Sequence, residues 1–518
     1  KVGIQDNFFE LGGHSLSAYK LTNKYHKNFD TSLNIKDLFI NTTILSHIHL
    51  VNKTHASNYL QIVVAPKKED YPLSRAQQRI YLANSLDITS SSYNMPVYGE
   101  IELSFGKELF LRAIDILINK YEILRTIFIK NKKKEVRQKV INKDSFNYDI
   151  NFFDYSNLNK RDQEKYIEKL VIEDTVKPFN LAEAPLFRIL FFKISKKTYY
   201  FYINFHHIIS DETSVNILVN ELFYLYENLS SNDEFHFEEL KLQYKDYAFW
   251  ESTNLASKQN KESQRYWLKR LTSFIPKVDL PENNRALGLK QNKGHILSYI
   301  FSEKETQEVV GKAKKNNTTL FALLLTLSKI LLYKYTGIKD IVTGSPINGR
   351  LYPELNNQIG FFSNIVVLRN HIYPNKTFLE NLQEISKEVF EDFQHQEYPY
   401  ENLIEDIKTS RDPNRNPLFD IFFSLGGLID EKQDIDIPED EIDIILDKGT
   451  INTKFDISLF FSRKNGSLVF ELHFNKGLYT IESINSFIQN FIKLTRKVLL
   501  NSNSLISAIN INSKADEQ

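Results

Sequence analysis

The sequence predicts a mixed α/β (α+β) protein, with a small first unit followed by larger units of strands and helices. Three stretches carry this. Thr198-Tyr199-Tyr200-Phe201-Tyr202-Ile203-Asn204-Phe205 is aromatic and alternating, as a strand should be, and Thr213 to Tyr226 follows with Val215, Leu218, Val219, Leu222 and Tyr226 on one helical face. Thr318 to Tyr335 is a strongly apolar helix, succeeded by a strand and tight turn at Asp340 to Arg350. Near the start, Gly12 and Gly13 permit a tight turn into a helix with Leu16, Tyr19, Leu21 and Tyr25 on a mainly apolar side.

At 518 residues the chain has room for about three domains. It is 42% hydrophobic and 25% charged, enough to bury ordinary cores. Lys+Arg and Asp+Glu both count 65, and zero net charge argues against nucleic acid or a membrane surface as the main partner. With no cysteine there is no disulfide, thiolate metal site or Cys nucleophile. The longest apolar run, Leu320 to Leu327, is too short to span a bilayer, and no secretory signal opens the chain. A cytoplasmic location is expected.

Taken in order, residues 1–52 form the first unit. Ser15 stands at its helix start, either as a plain N-cap or as a hydroxyl presented for modification, since free N–H groups there favour a phosphodiester. Residues 53–70 read as a polar linker with Pro66 and the solvated charge run Lys67-Lys68-Glu69-Asp70. The helix carrying Ile114, Leu117, Tyr121 and Leu124 is an amphipathic packing element. His206-His207-Ile208-Ile209-Ser210-Asp211-Glu212 then sits where a strand ends and a helix begins, a rigid yet accessible place for reactive groups. Adjacent side chains diverge, so the two histidines do not suit a metal, and none is expected.

Two strings carry a family resemblance. Asp6-Asn7-Phe8-Phe9-Glu10-Leu11-Gly12-Gly13-His14-Ser15-Leu16 resembles the DxFFxLGGHSL signature of peptidyl carrier proteins. This implies a 4'-phosphopantetheine arm on Ser15, installed by a phosphopantetheinyl transferase, with later carrier helices at Lys36 to Phe39 and Thr43 to Val51. Carriers of this family have a further helix ahead of the loop, and it is expected to be missing from these residues. His206 to Glu212 resembles the HHxxxDG motif of condensation domains of non-ribosomal peptide synthetases, within the chloramphenicol-acetyltransferase-like superfamily. Glu212 occupies the glycine position.

The other condensation motifs follow in order. Ser74 to Arg79 resembles SxAQxR, and Glu122 to Phe128 resembles HExLRTxF with Tyr121 for the histidine and Lys120 for the preceding arginine. Tyr244 to Trp250 resembles YxDYAxW, read as core and lobe contact. Ile359 to Arg369 resembles IGxFxNxLxLR, His395 to Glu401 resembles HQDxPFE, and Arg411 to Phe419 resembles RDxSRNPLF.

The resemblance implies a V-shaped pair of similar lobes, 71–250 and 251–510, with the active site in a tunnel between them. The tail from Leu505 would begin a linker, 511–518 included, toward an adenylation domain. The chain would then be a carrier–condensation piece of a larger synthetase making an antibiotic or siderophore. Its donor would be an aminoacyl or peptidyl thioester on the upstream carrier. The acceptor amine would come on a downstream carrier, and adenylation domains on both sides would be partners.

Among site residues, the resemblance makes His207 catalytic, in a motif with His206 and Asp211. His206 is expected to pack inside. Asp211 is expected to hold the loop through an arginine, Arg350 first and Arg125 second. Asn364 either lines the channel or packs in its strand. Glu212 either serves as a first-turn acid, narrows the acceptor side or attracts a cationic amine there, or strains a positive-φ position. The thioester is already activated, so the reaction needs positioning and control of one proton. His207 serves either as a base or as a hydrogen-bonding group that orients the amine and stabilises the tetrahedral species. Two rivals remain: an epimerisation domain, which shares the His-His motif but lacks RDxSRNPLF, and a catalytically silent recruitment platform.

Overall fold

The computed structural model describes residues 61–102, 107–230, 240–254, 257–281, 293–408, 412, 415–426 and 444–511, and in the first stretch 2–8, 18, 21, 22, 24, 25, 28, 29, 31, 33 and 35–53. Ser15 lies outside the described residues. By compactness the chain divides into two units, one of Tyr59–Asn260 with Asn348–Ser363 and one of Lys1–Asn58, Lys261–Ile347 and Asn364–Gln518.

In the first 53 residues two short helices are described, α1 (Ile35–Ile40) and α2 (Ile44–Lys53). Thr43 caps α2, accepting from the Ser46 N–H at 3.2 Å. Buried His47 ties this bundle together. Its Nε2 donates to the Asn41 carbonyl at 2.5 Å, so in the neutral ring Nδ1 accepts from the Tyr25 hydroxyl at 2.9 Å. Burial pulls its pKa below the ordinary histidine value.

The histidine-bearing unit contains β1 (Tyr71–Pro72), α3 (Arg75–Leu86), β2 (Asn94–Glu102), α4 (Lys107–Lys120), β3 (Thr126–Lys130), β4 (Val136–Val140), β5 (Ile150–Asp154), α5 (Lys160–Thr175), β6 (Phe187–Lys193), β7 (Thr198–His206), α6 (Glu212–Ser230) and α7 (Tyr244–Asn254). Its main sheet runs β2-β7-β6-β5, antiparallel except for β5 beside β6, and a smaller sheet runs β1-β4-β3. The aromatic alternation of β7 has a direct physical outcome. Tyr199, Phe201, Ile203 and Phe205 join the core with Phe110, Leu117, Leu218 and Leu222 of α4 and α6. Tyr200 and Tyr202 pack on the opposite face with Ile167 and Leu170 of α5. A sheet covered by helices on both faces explains why β7 is apolar on both sides.

Two expectations are adjusted here. The stretch 53–70 is not wholly a solvated linker: Ile62 and Ala65 are buried, the Ala65 N–H donates to Asp246 Oδ1 at 2.9 Å, and Asp70 pairs with Arg137 at 2.8 Å. Of the second lobe, expected at 251–510, residues 251–260 and Asn348–Ser363 group with the histidine-bearing unit, and the latter stretch carries the partners of Asp211 described below.

The other unit is built on a seven-stranded sheet of β8 (Lys293–Ile300), β9 (Asp340–Ile347), β10 (Asn364–His371), β11 (Ile421–Leu425), β12 (Ile445–Asn452), β13 (Ile457–Lys464) and β14 (Ser467–Asn475), in the order β10-β9-β11-β13-β14-β8-β12. The apolar helix spans Leu320–Thr336. Thr319 caps it, accepting from the Ala322 N–H, and Gly337 ends it at φ 70°, where a side chain would be strained. The tail from Leu505 is not free linker. Ile506, Ile509 and Ile511 are buried in this core, and the Ile506 N–H donates to the Lys376 carbonyl at 3.0 Å. Among the described residues no single helix is long and apolar enough to cross a membrane.

Candidate active site

β7 delivers His206 as its last residue, and the next five residues, 207–211, form the turn that leads into Glu212, the first residue of α6. Two hydrogen bonds fix the turn, one inside it from the Ile209 N–H to the His206 carbonyl at 3.1 Å, and one outward from the His207 N–H to the Tyr93 carbonyl at 2.8 Å.

The two histidines are held in opposite tautomers. His207 Nδ1 lies 2.8 Å from the Ser210 carbonyl oxygen, which can only accept, so Nδ1 carries a proton and the neutral ring keeps its lone pair on Nε2. His206 Nδ1 accepts from the Ile208 N–H at 3.2 Å, so its neutral ring is protonated on Nε2. His206 is 1% exposed and packs against Tyr93 and Phe179, with ring centroids 6.2 and 5.9 Å away. His207 is half-buried and meets the Phe361 ring edge-on, centroids 4.8 Å apart at 66°.

Asp211 is 2% exposed and fully engaged. It caps α6, its Oδ1 accepting from the Ser214 N–H at 2.8 Å. Arg350 grips it with two parallel bonds, Nη1 to Oδ2 at 2.9 Å and Nη2 to Oδ1 at 2.8 Å. The Phe362 N–H adds a bond to Oδ2 at 3.0 Å. Ser214 Oγ accepts from Arg350 Nη2 at 2.7 Å and from the Gly360 N–H at 3.0 Å. The Arg350 guanidinium also lies 4.4 Å over the Phe362 ring. Glycine is required twice in this returning segment. Gly349 has φ +64°, and a Cβ there would lie 1.8 Å from the Phe362 carbonyl oxygen; a Cβ on Gly360 would lie 1.8 Å from the Tyr244 ring.

The remaining site residues are placed as follows. Arg125 is buried and bonds backbone instead of Asp211: its Nε donates to the Ile118 carbonyl at 3.0 Å and Nη1 to the Ile141 carbonyl at 2.5 Å. Tyr121, at the family's histidine position, donates to Glu221 Oε2 at 2.8 Å, while Lys120 reaches Oε1 of the same carboxylate at 2.8 Å. Asn364 belongs to the other unit, where it braces a loop: Nδ2 donates to the Gln396 and Tyr398 carbonyls, both at 2.9 Å, and Oδ1 accepts from the Tyr400 N–H at 3.1 Å.

Glu212 is the exposed first residue of α6 and does not take positive φ. That removes backbone strain as the meaning of the missing glycine. A first-turn acid is worth about 0.3–1 kcal/mol at a helix start. Glu212→Gly is therefore expected to lower the melting temperature slightly and leave the amide-forming rate within about threefold, since neither effect reaches His207. Thermal melts and rate assays on the two proteins check this. An inactive parent with an active glycine variant would identify a silenced domain.

Sequence reasoning missed Gln77 and Tyr244 as neighbours of this turn. Gln77 is fully buried, and its Nε2 donates to the Ile208 carbonyl at 3.2 Å. A signal was present, because a glutamine and a tyrosine inside otherwise packed helices must find polar partners.

The condensation domain family matches residues 67–518, and the phosphopantetheine attachment site family matches residues 1–51. A plipastatin synthase of Bacillus subtilis (strain 168) is 33% identical over 511 residues, 98% of this chain but 19% of that protein. Gramicidin S synthase 2 of Aneurinibacillus migulanus is 33% identical over 518 residues, 100% of this chain and 11% of that protein. The chain thus spans at most about a fifth of these relatives. A four-domain nonribosomal peptide synthetase bound to AMP and glycine shares the fold at TM-score 0.73 and 22% identity, over 89% of this chain and 35% of that one. The X-domain in complex with OxyB from teicoplanin biosynthesis does so at TM-score 0.74 and 17% identity, over 89% and 100%. With the condensation family matching all but the first stretch, the chain belongs to the amide-bond-forming condensation domains of nonribosomal peptide synthetases, and ahead of that domain it carries one of the kind that bears phosphopantetheine on a serine.

Proposed function

We propose that the domain joins a donor aminoacyl or peptidyl thioester to the α-amine of an acceptor residue, with His207 Nε2 handling the amine proton. One observation carries this reading. The His207 ring is anchored through Nδ1 on the Ser210 carbonyl, a contact that in the neutral ring puts the basic lone pair on Nε2. The amine nitrogen attacks the thioester carbonyl carbon, the C–N bond forms and the C–S bond breaks. The proton lost from nitrogen passes to Nε2 and on to the departing sulfur, so the ring ends as it began. Asp211 and Arg350 have no part in the proton path; buried and paired with each other, they hold the turn still.

The donor is assigned to Ser15, whose hydroxyl offers the oxygen a phosphodiester needs. When bound, the phosphopantetheine arm supplies the thiol that holds the acyl group. The partners are then a phosphopantetheinyl transferase, adenylation domains that load the carriers, and a downstream carrier bringing the acceptor. A cytoplasmic location suits a modification that draws on coenzyme A.

The test is direct. Load the chain from aminoacyl-coenzyme A with a phosphopantetheinyl transferase, add an aminoacyl carrier as acceptor, and follow dipeptide by mass spectrometry across a panel of residues. Dipeptide on the acceptor supports the reading. Loaded donor with no amide from any pair would overturn it, and inversion of the donor's α-carbon would assign epimerisation instead. The arm's mass is expected on the parent and absent from Ser15→Ala; an arm that persists in the variant would move the attachment site elsewhere.

A further inference from the structure

We propose that Tyr244, acting with Ser74 and Gln77, positions the His207 ring by tying both of its neighbours to the start of α3. One neighbour is Phe361, in ring contact with His207 at 4.8 Å. The other is Ile208, the next residue in the chain. The Tyr244 hydroxyl donates to the Phe361 carbonyl at 2.5 Å. It has a single proton, so its 2.8 Å contact with Ser74 Oγ runs the other way, with Ser74 donating. Ser74 and Gln77 are joined twice, Gln77 N–H to Ser74 Oγ and Ser74 N–H to Gln77 Oε1, each at 3.1 Å. Gln77 Nε2 then reaches the Ile208 carbonyl at 3.2 Å. The contacts form a closed ring: His207, Ile208, Gln77, Ser74, Tyr244, Phe361 and back to His207.

Burial makes this ring stiff. Ser74 and Gln77 are fully buried and Tyr244 nearly so. Loss of one link leaves a polar group unsatisfied in a dry interior, and the strand-end turn is freed to shift. Burial also pushes the Tyr244 hydroxyl well above its ordinary pKa, which keeps its proton in place for Phe361. Gly360 admits the Tyr244 ring to a spot any Cβ would fill. None of the three side chains is assigned contact with the reacting atoms. Their effect passes through the aim of the imidazole, and a misplacement of about 1 Å can cost on the order of 10²-fold in rate.

This inference rests on the proposed role of His207, and its test separates the two. Measure single-turnover amide formation for Tyr244→Phe in the parent and in a His207→Ala background. The expected loss is about tenfold in the parent and under about twofold without the histidine, because a positioning residue has nothing left to position. Equal losses in both backgrounds, or none in the parent, overturn the inference and leave Tyr244 a core residue. A His207→Ala protein as active as the parent overturns the functional reading instead. Ser74→Ala repeats the test without touching the tyrosine ring, should Tyr244→Phe fold poorly. Where the His207→Ala rate falls below detection, ¹⁵N spectra of the His207 ring decide. Mixed tautomers in Tyr244→Phe, against a protonated Nδ1 in the parent, uphold the inference, and unchanged spectra overturn it.

Discussion

Replacing His207 with alanine is expected to slow amide formation by about 10²–10⁴-fold, the usual range for loss of a positioned proton-transfer group. The side chain is half-buried and anchored from behind by the Ser210 carbonyl, so alanine leaves the fold intact while removing Nε2. The free α-amine has a pKa of about 7.7–8.0, so raising the pH supplies more attacking amine to parent and variant alike, while the proton lost from nitrogen as the C–N bond forms still needs an acceptor. Rate-against-pH curves for the two should therefore rise together through that pKa and stay apart above it. A loss of only a few fold at every pH would favour orientation of the amine over base catalysis. Full activity without the histidine would contradict both.

Asp211→Ala should cost about 3–5 kcal/mol of stability, because it strands the Arg350 guanidinium in the interior and strips α6 of its cap. That is a large share of the roughly 5–15 kcal/mol that holds a domain folded. The melting temperature is expected to fall by roughly 6–20 °C, at about 2–4 °C per kcal/mol for a unit of this size. Activity should fall with it. A companion protein with Asp211→Asn and Arg350→Met, which leaves no bare charge, should recover part of the stability even though the ion pair is gone. Calorimetry on the three proteins decides. If Asp211→Ala melts with the parent and is inactive, the carboxylate acts in the chemistry and not in the scaffold.

The mixed α/β class was legible because its signals are local. Aromatic alternation over Thr198 to Phe205 and the helical stripe after Thr213 each need only neighbouring residues to be read. The site is less legible, because its partners come from far along the chain. Nothing near Asn364 announces that its amide braces the backbone of residues 396–400. Within the apolar helix, Lys329 is fully buried, donating to the Ile341 and Leu368 carbonyls and to Asn370 Oδ1. A lone lysine in an apolar run gives no hint of such partners. The isoleucines at 506, 509 and 511 were too sparse to mark a packed segment, yet the core reaches them.

The return of Asn348–Ser363 to the histidine-bearing unit also bears on how this protein is made. Arg350 follows Asp211 by 139 residues. At a synthesis rate of about 5–20 residues per second, roughly 7–28 seconds pass between the two leaving the ribosome. Through that interval the strand, turn and helix of the nascent unit exist without their cation, and the carboxylate must stay wet. The final burial of the turn waits for a later stretch of the message to be read. A ribosome-bound chain stalled before residue 348 should accordingly show the sheet formed and the His207 turn open to protease. One stalled far enough past residue 363 to expose that segment should show it closed.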